Sequence, residues 1–542
     1  MVCGYFLSAM KLPAASHGEF NPRTQLNRFS EFGIKFRYSH RKSIKNESKM
    51  ESAVNFLNGI IWGPSALPAL AVLCLFAGLF YSFNTRFMQL RMFGEQLRLL
   101  RSGTSSAQGI SPFQALTVSL SGRVGTGNIA GVAAAIGFGG PGAVFWMWVI
   151  AILGAATAYV EATLAQIYKE VDDGEYRGGP AYYIEKAMGQ KWYALIFAVA
   201  TIIACGVLLP TVQSNAIGNA VVQTLGAGST IETSLGALSS TKVITGLVIV
   251  VIFGFIIFGG VKRIANFAQV VVPFMALAYI ITACAIILVN ISELPRIVGM
   301  IFADAFTPMA GLGAAFGWGV KRGVYSNEAG QGTAPHAAAA AEVDHPAQQG
   351  LVQAFSIYID TLFVCTATAF MILITGMFNV GTAETGLIIQ NVAADTSANS
   401  PAFTQMAIES VMPGFGNPFV AVALFFFSFT TLMAYYYIAE SNVVYIRRFV
   451  KVPGAIFLLK VVIVAAVFYG TVKAANLAWA MGDIGVGIMA WVNIIGILVI
   501  FYMGKPAIKA LQDYEQQKAE GVEKYRFDPA KLGIKNADFW NK

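Results

Sequence analysis

The chain has 542 residues, 56% of them hydrophobic and 12% charged, with a formal net charge of +8. A soluble domain of ordinary composition carries about 25% charged residues, so water-surrounded cores cannot hold this much hydrocarbon and lipid is the expected solvent. The basic surplus lies in short loops and at both ends, the pattern of positive cytoplasmic loops, which sets nucleic acid aside as a partner.

Residues 1–49 carry nine Lys or Arg and no apolar run of membrane length. They read as a disordered extension, or as the product of a start placed too far upstream, with Met50 opening the fold. Eleven apolar spans follow, at about 62–83, 113–138, 143–169, 191–223, 243–260, 266–290, 311–342, 350–378, 416–446, 453–473 and 478–503, each long enough for a bilayer. Cys74, Cys205, Cys284 and Cys365 lie inside spans with no CxxC pairing and read as small buried hydrophobes. No HExxH, GxSxG or paired-His pattern occurs, so neither an enzyme nor an organic cofactor is expected.

Orientation follows from Lys and Arg. With the C-terminus inside, the inner segments are 84–112, 170–190, 261–265, 447–452 and the tail after 503, all basic, whereas the loop 379–415 has no Lys or Arg. Eleven crossings then put residue 50 outside.

Spans 2 and 7 are interrupted. The centre of span 2, Ser121-Gly122-Arg123-Val124-Gly125-Thr126-Gly127-Asn128, and that of span 7, Lys321-Arg322-Gly323 through Ser326-Asn327-Glu328-Ala329-Gly330-Gln331-Gly332-Thr333, hold glycine and polar groups. Backbone freed from helical bonding cannot face lipid, so such segments line a cavity or are buried in protein. Each broken span leads four ordinary ones, the five-plus-five pattern of inverted-repeat transporters. The expected fold is an all-α integral membrane protein of about 11 transmembrane helices. Its units are an extra helix and linker over 50–112, repeats over 113–290 and 291–503, and a basic cytoplasmic tail over 504–542.

Freed amides at Gly125, Thr126 and Gly127 suit a carboxylate at the positive end of a half-helix, and Asn128 and Asn327 suit an ammonium. Ser326, Gly330 and Gln331 are candidates from the second break, and the glycines leave room for only a small substrate. Close packing alone asks for small residues, but not for Arg, Thr and Asn in one cluster. Lys321 and Arg322 read as an internal ion-pair group, and Glu328 stays undecided between site and structure.

These stretches carry a resemblance. VGTGNIAGVA at Val124–Ala133, GGPGAVFWMW at Gly139–Trp148 and SNEAGQG at Ser326–Gly332 resemble the alanine or glycine:cation symporter family, over about Met50 to the start of the tail. The resemblance implies a leucine-transporter-like fold with one added N-terminal helix, a bacterial or archaeal cytoplasmic membrane, and uptake of alanine or glycine driven by sodium as coupling ion. It also implies that hydroxyls on the third helix of the second repeat join carbonyls of the first broken helix around sodium. Ser428, Thr430, Thr431 and Gly122 are the candidates, although Ser and Thr also bond back to their own helix.

Pro210 frees a carbonyl, so Gln213 and Asn215 either line the cavity or tie neighbouring helices. Glu161, Asp360 and Glu440 are lone carboxylates within spans, each needing a partner or a proton. Proton coupling or another small solute on the same fold is the main alternative function. A channel or a membrane-embedded enzyme is remote.

Overall fold

The computed structural model describes residues 51–63, 67–101, 105–106, 108–172, 174–233, 236–258, 260–306, 313–382 and 386–541, so the extension 1–49 lies outside the described residues. Among the described residues, eight helices are long and apolar enough to cross a bilayer: Ala143–Ile167, Lys191–Leu225, Ser240–Ile257, Arg263–Val289, Pro346–Thr375, Gly416–Arg447, Ala455–Val472 and Ala475–Gly504. Ala69–Asn84 is a shorter apolar helix. The expected first span 62–83 is corrected, because residues 51–62 form a helix of their own and Ala69–Asn84 a second one after Pro68.

Both interruptions are real breaks. The first broken helix runs Pro112–Arg123, leaves helical geometry at Val124, resumes as a π-turn over Gly127–Gly131 and ends as Val132–Gly139. A full capping box, Ser111 with Gln114, starts it. The second broken helix runs Ala314–Asn327 and resumes at Ala334–Ala339. Between its halves, Glu328, Gly330 and Gly332 take left-handed backbone at φ 57, 87 and 80°, which only glycine adopts without cost. Each broken helix is followed by four long helices. Helix Ala143–Ile167 packs on both Ala314–Asn327 and Pro346–Ile357, which fixes the second break against the bundle.

Polar segments sort to two faces. Arg86 and Arg91 both hold Glu515 at 2.6 Å, Lys518 holds Glu95 at 2.5 Å, and Arg448 reaches Glu170 and Glu185. The segments read as inner are therefore neighbours. The tail is more than a charged appendage: helix Pro506–Ala519 packs on the bundle, and the Trp540 indole donates to the Gln166 carbonyl at 2.9 Å. His345, cap of the Pro346 helix, meets Asp513 of the tail at 3.1 Å. The opposite face carries hairpins Thr230–Thr233 with Gly236–Ser239 and Asn379–Thr382 with Gly386–Gln390, besides helix Ala402–Val411. Cys284 is corrected from buried to exposed.

Candidate functional site

The two breaks meet. A Cβ placed on Gly127 would stand 3.1 Å from the Ser326 Cα and 3.3 Å from Ser326 Cβ and the Tyr325 ring. On Gly125 it would strike Thr431 Oγ1 at 2.5 Å and Gln213 Oε1 at 2.9 Å. Glycine at these positions is what lets one unwound backbone approach its neighbours.

Asp360 knots the two breaks together. It is fully buried in a π-helical stretch, Tyr358–Cys365, a geometry frequent at functional sites. Its Oδ1 accepts from Asn128 Nδ2 at 2.6 Å on the first break and from Ser326 Oγ at 3.0 Å on the second, while Thr361 donates to Oδ2 at 2.6 Å. All three donors are neutral. Cys365 stands within 3.3 Å of Asn128 Nδ2 and 3.2 Å of Ser326 Oγ, so it is a polar contact as well as a packing residue.

Arg123 is a second link. Its Nε donates to the Asn327 carbonyl at 2.7 Å, and its Nη1 reaches Gln353 at 3.3 Å and Ser356. Nη2 is buried without a hydrogen-bond partner among the described residues.

The freed backbone has been satisfied from within. Asn128 Oδ1 accepts from the Gly125 amide at 2.8 Å, and Gln213 Oε1 from the Thr126 amide at 3.0 Å. Glu161 accepts from the amides of Gly330 and Gly332, both at 3.1 Å, and from the Asn493 side chain. Gly330, a candidate from the second break, has both backbone groups satisfied: Glu161 accepts from its amide and Asn493 donates to its carbonyl at 3.0 Å. Gln331 turns inward and donates to Val324 O at 2.7 Å. Asn327 Oδ1 accepts from the Ala329 amide at 3.0 Å, and its Nδ2 is buried without a hydrogen-bond partner among the described residues. Glu328 closes the same loop, accepting from Thr333 Oγ1 at 2.7 Å.

The hydroxyls on helix Gly416–Arg447 divide. Ser428 Oγ lies 2.8 Å from Thr126 Oγ1, and Thr431 Oγ1 faces Gly125 while bonding Phe427 O at 2.9 Å. Thr430 bonds back to Phe426 O and Phe427 O at 3.0 and 2.9 Å, with no hydrogen bond to the break among the described residues. Gly122 lies in the last turn of Pro112–Arg123, where a Cβ would stand 3.2 Å from Glu328 Oε2. Asn215 is no part of this cluster: its Nδ2 ties to the carbonyls of Gly470 and Lys473 at 2.9 and 2.7 Å. Glu440 lies in the field of Arg177 and Lys460, and among the described residues no hydrogen bond or ion pair joins it to either break.

This geometry fits what the comparisons find. The model of the sodium:alanine symporter family matches residues 47–529. The chain belongs to that family. It is a multi-pass membrane transporter, not an enzyme. Family relatives include the carrier protein YrbD of Bacillus subtilis strain 168, 56% identical over 91% of this chain and 98% of its own. The sodium/proton-dependent alanine carrier protein of Bacillus sp. strain PS3 is 50% identical over 82% of this chain and 96% of its own. The sodium/alanine symporter AgcS of Methanococcus maripaludis is 37% identical over 87% and 99%. A crystal structure of MhsT in complex with L-phenylalanine covers 74% of this chain and all of its own, at 14% identity and a TM-score of 0.48.

Within this symporter, Lys321 and Arg322 are the ion-pair group expected. Both hold Asp483, at 2.6 and 2.7 Å. Asp483 itself escaped the sequence reading, although a lone carboxylate in an apolar span was signal enough. Asn493 and Tyr325 left no signal, because their roles depend on which helices touch.

Gly127→Leu is expected to abolish uptake, because the side chain would push the two broken helices apart at Ser326. Gly127→Ala needs a shift of only a few tenths of an ångström and should retain partial transport. Uptake by the two variants, at matched amounts in the membrane, checks the ranking.

Proposed function

We propose that this protein carries alanine, and glycine with it, into the cell together with sodium, by alternating access around the two breaks. The observation that carries this is the convergence of Gly125, Thr126 and Gly127 with Ser326, Asp360 and Gln213 at one buried point between repeats. Unwound backbone at such a point is what inverted-repeat carriers use for substrate. Gln213 Oε1 stands on the Thr126 amide where a substrate carboxylate oxygen would bind, so substrate displaces it. The Asp360 carboxylate supplies the negative partner that an ammonium seeks. The close packing at Gly125 and Gly127, where even a Cβ would press on Thr431 and Ser326, supports a substrate as small as alanine or glycine.

For sodium, the oxygens of Thr126, Ser428 and Thr431 suit a hard cation. Thr431→Val is expected to raise the sodium concentration for half-maximal uptake by at least about tenfold, the loss of one charge-assisted contact, with Thr430→Val close to wild type. Equal sodium curves for the two variants would move the ion elsewhere.

The membrane is a bacterial cytoplasmic one, with the C-terminus inside and residue 50 outside. The repeats are 113–290 and 291–503, preceded by the added helix and linker 50–112 and followed by the tail 504–542. A second reading, proton coupling, is favoured by one observation: Asp360 has neutral donors alone, so it could hold a proton instead.

The test is uptake of radiolabelled alanine and glycine into proteoliposomes, with and without an inward sodium gradient at constant pH. Concentrative, sodium-stimulated uptake is expected. Uptake that follows a proton gradient and ignores sodium would favour the second reading, and no uptake of either amino acid would overturn the substrate.

A further inference from the structure

A cavity of about 160 Å³ opens beside the second broken helix, lined among others by Asn55, Asn58, Trp62, Trp318 and Lys321. Its charge is unbalanced. Lys321 and Arg322 share the single carboxylate of Asp483, Lys321 on Oδ2 and Arg322 on Oδ1. Among the described residues no second carboxylate lies within 4 Å of either cation, so the group carries one excess positive charge. Arg322 is enclosed, its guanidinium 4.2 Å from the centre of the Trp479 ring and its side chain 1% exposed. Lys321 is 13% exposed, between the rings of Trp62 at 5.0 Å and Trp318 at 5.3 Å. The surplus charge therefore presents itself at Lys321, on the cavity wall.

The same wall holds an orphan of opposite kind. Among the described residues Asn58 Oδ1 is buried with no hydrogen-bond partner, and such an acceptor costs free energy until a donor reaches it. A cavity that offers an uncompensated cation and an unpaired acceptor, between two indoles, matches a small zwitterion. The carboxylate goes to Lys321, the ammonium to Asn58, and an apolar side chain to the indole faces.

We propose that this cavity is a second amino-acid site, where substrate waits before it reaches the breaks. The inference rests on the alanine reading above. One layer separates the two sites: Arg322, Trp479 and Tyr325, with the Tyr325 and Trp479 rings 5.0 Å apart and Tyr325 against Gly127. Trp62 is anchored to the ion-pair group by its indole, which donates to the Asp483 carbonyl at 2.9 Å. Lys321→Gln should fold, since it leaves Arg322 and Asp483 as a balanced pair.

The test is equilibrium binding of radiolabelled alanine, in sodium, to the full chain in lipid nanodiscs. Wild type is expected to bind two alanines per chain, Thr126→Val one, Lys321→Gln one, and the double variant none. Asn58→Leu should weaken the site retained in Thr126→Val by at least about tenfold, for the lost bond to the ammonium. A wild type that binds one alanine, all of it lost in Thr126→Val, would overturn the second site and leave the transport reading intact. A folded wild type that binds no alanine would overturn both.

Discussion

Asp360→Ala is expected to abolish alanine uptake while leaving insertion into the membrane normal. The carboxylate accepts from Asn128 on one broken helix and Ser326 on the other, so its removal unties the two segments that must move together around a substrate. Three buried donors, those of Asn128, Ser326 and Thr361, would lose their acceptor, at about 1–3 kcal/mol each. Asp360→Asn keeps the shape and can hold its amide oxygen towards Asn128 and Ser326, but it loses the charge and sets an NH2 group against the Thr361 hydroxyl. It should lower uptake by at least about a hundredfold, the equivalent of one charge-assisted bond. Asp360→Glu, with the charge kept and the position shifted, should fall between. Transport by Asp360→Asn at the wild-type rate, with matched protein in the membrane, would remove Asp360 from the mechanism.

Glu161→Ala should act on stability first. This carboxylate closes the second break by accepting from Gly330 and Gly332 and from Asn493. Without it two backbone amides are stranded in a buried place with no water to replace the acceptor. At about 1–3 kcal/mol for each stranded amide, the variant should melt well below the wild type in detergent. Glu161→Gln retains one acceptor oxygen and should lie between. An unchanged melting temperature for Glu161→Ala would mean that the break holds itself open without a clamp.

The two variants separate a distinction that the isolated chain did not display. Glu161, Asp360 and Glu440 look alike along the sequence, each a lone acid in an apolar span. In space one clamps backbone, one joins two helices, and one lies in the field of Arg177 with no hydrogen bond to either break among the described residues. Gln213 and Asn215 are two residues apart and equally polar, yet Gln213 caps Thr126 while Asn215 ties to Gly470 and Lys473. Helical rotation makes the difference, since residues two apart point to different sides. The same rotation splits Thr430 from Ser428 and Thr431.

By itself the sequence determined what depends on composition and local backbone chemistry. A chain this apolar must be dissolved in lipid, and basic segments must gather on one side. Glycine with polar residues in mid-span must break a helix, because such backbone has no helical bonds and no water. The breaks in spans 2 and 7 follow from these rules, and the VGTGNIAGVA and SNEAGQG stretches carry the resemblance to the family. Only the tertiary structure decided which freed groups remain available to a ligand. That depends on which side chains from distant helices arrive to satisfy them: Gln213 and Asn128 at the first break, Glu161 and Asn493 at the second, Asp360 between. It also decided that the tail docks and that two cations share Asp483. Those outcomes are set by long-range packing, where a hydrogen bond forms between residues hundreds of positions apart, and no local pattern encodes the pairing.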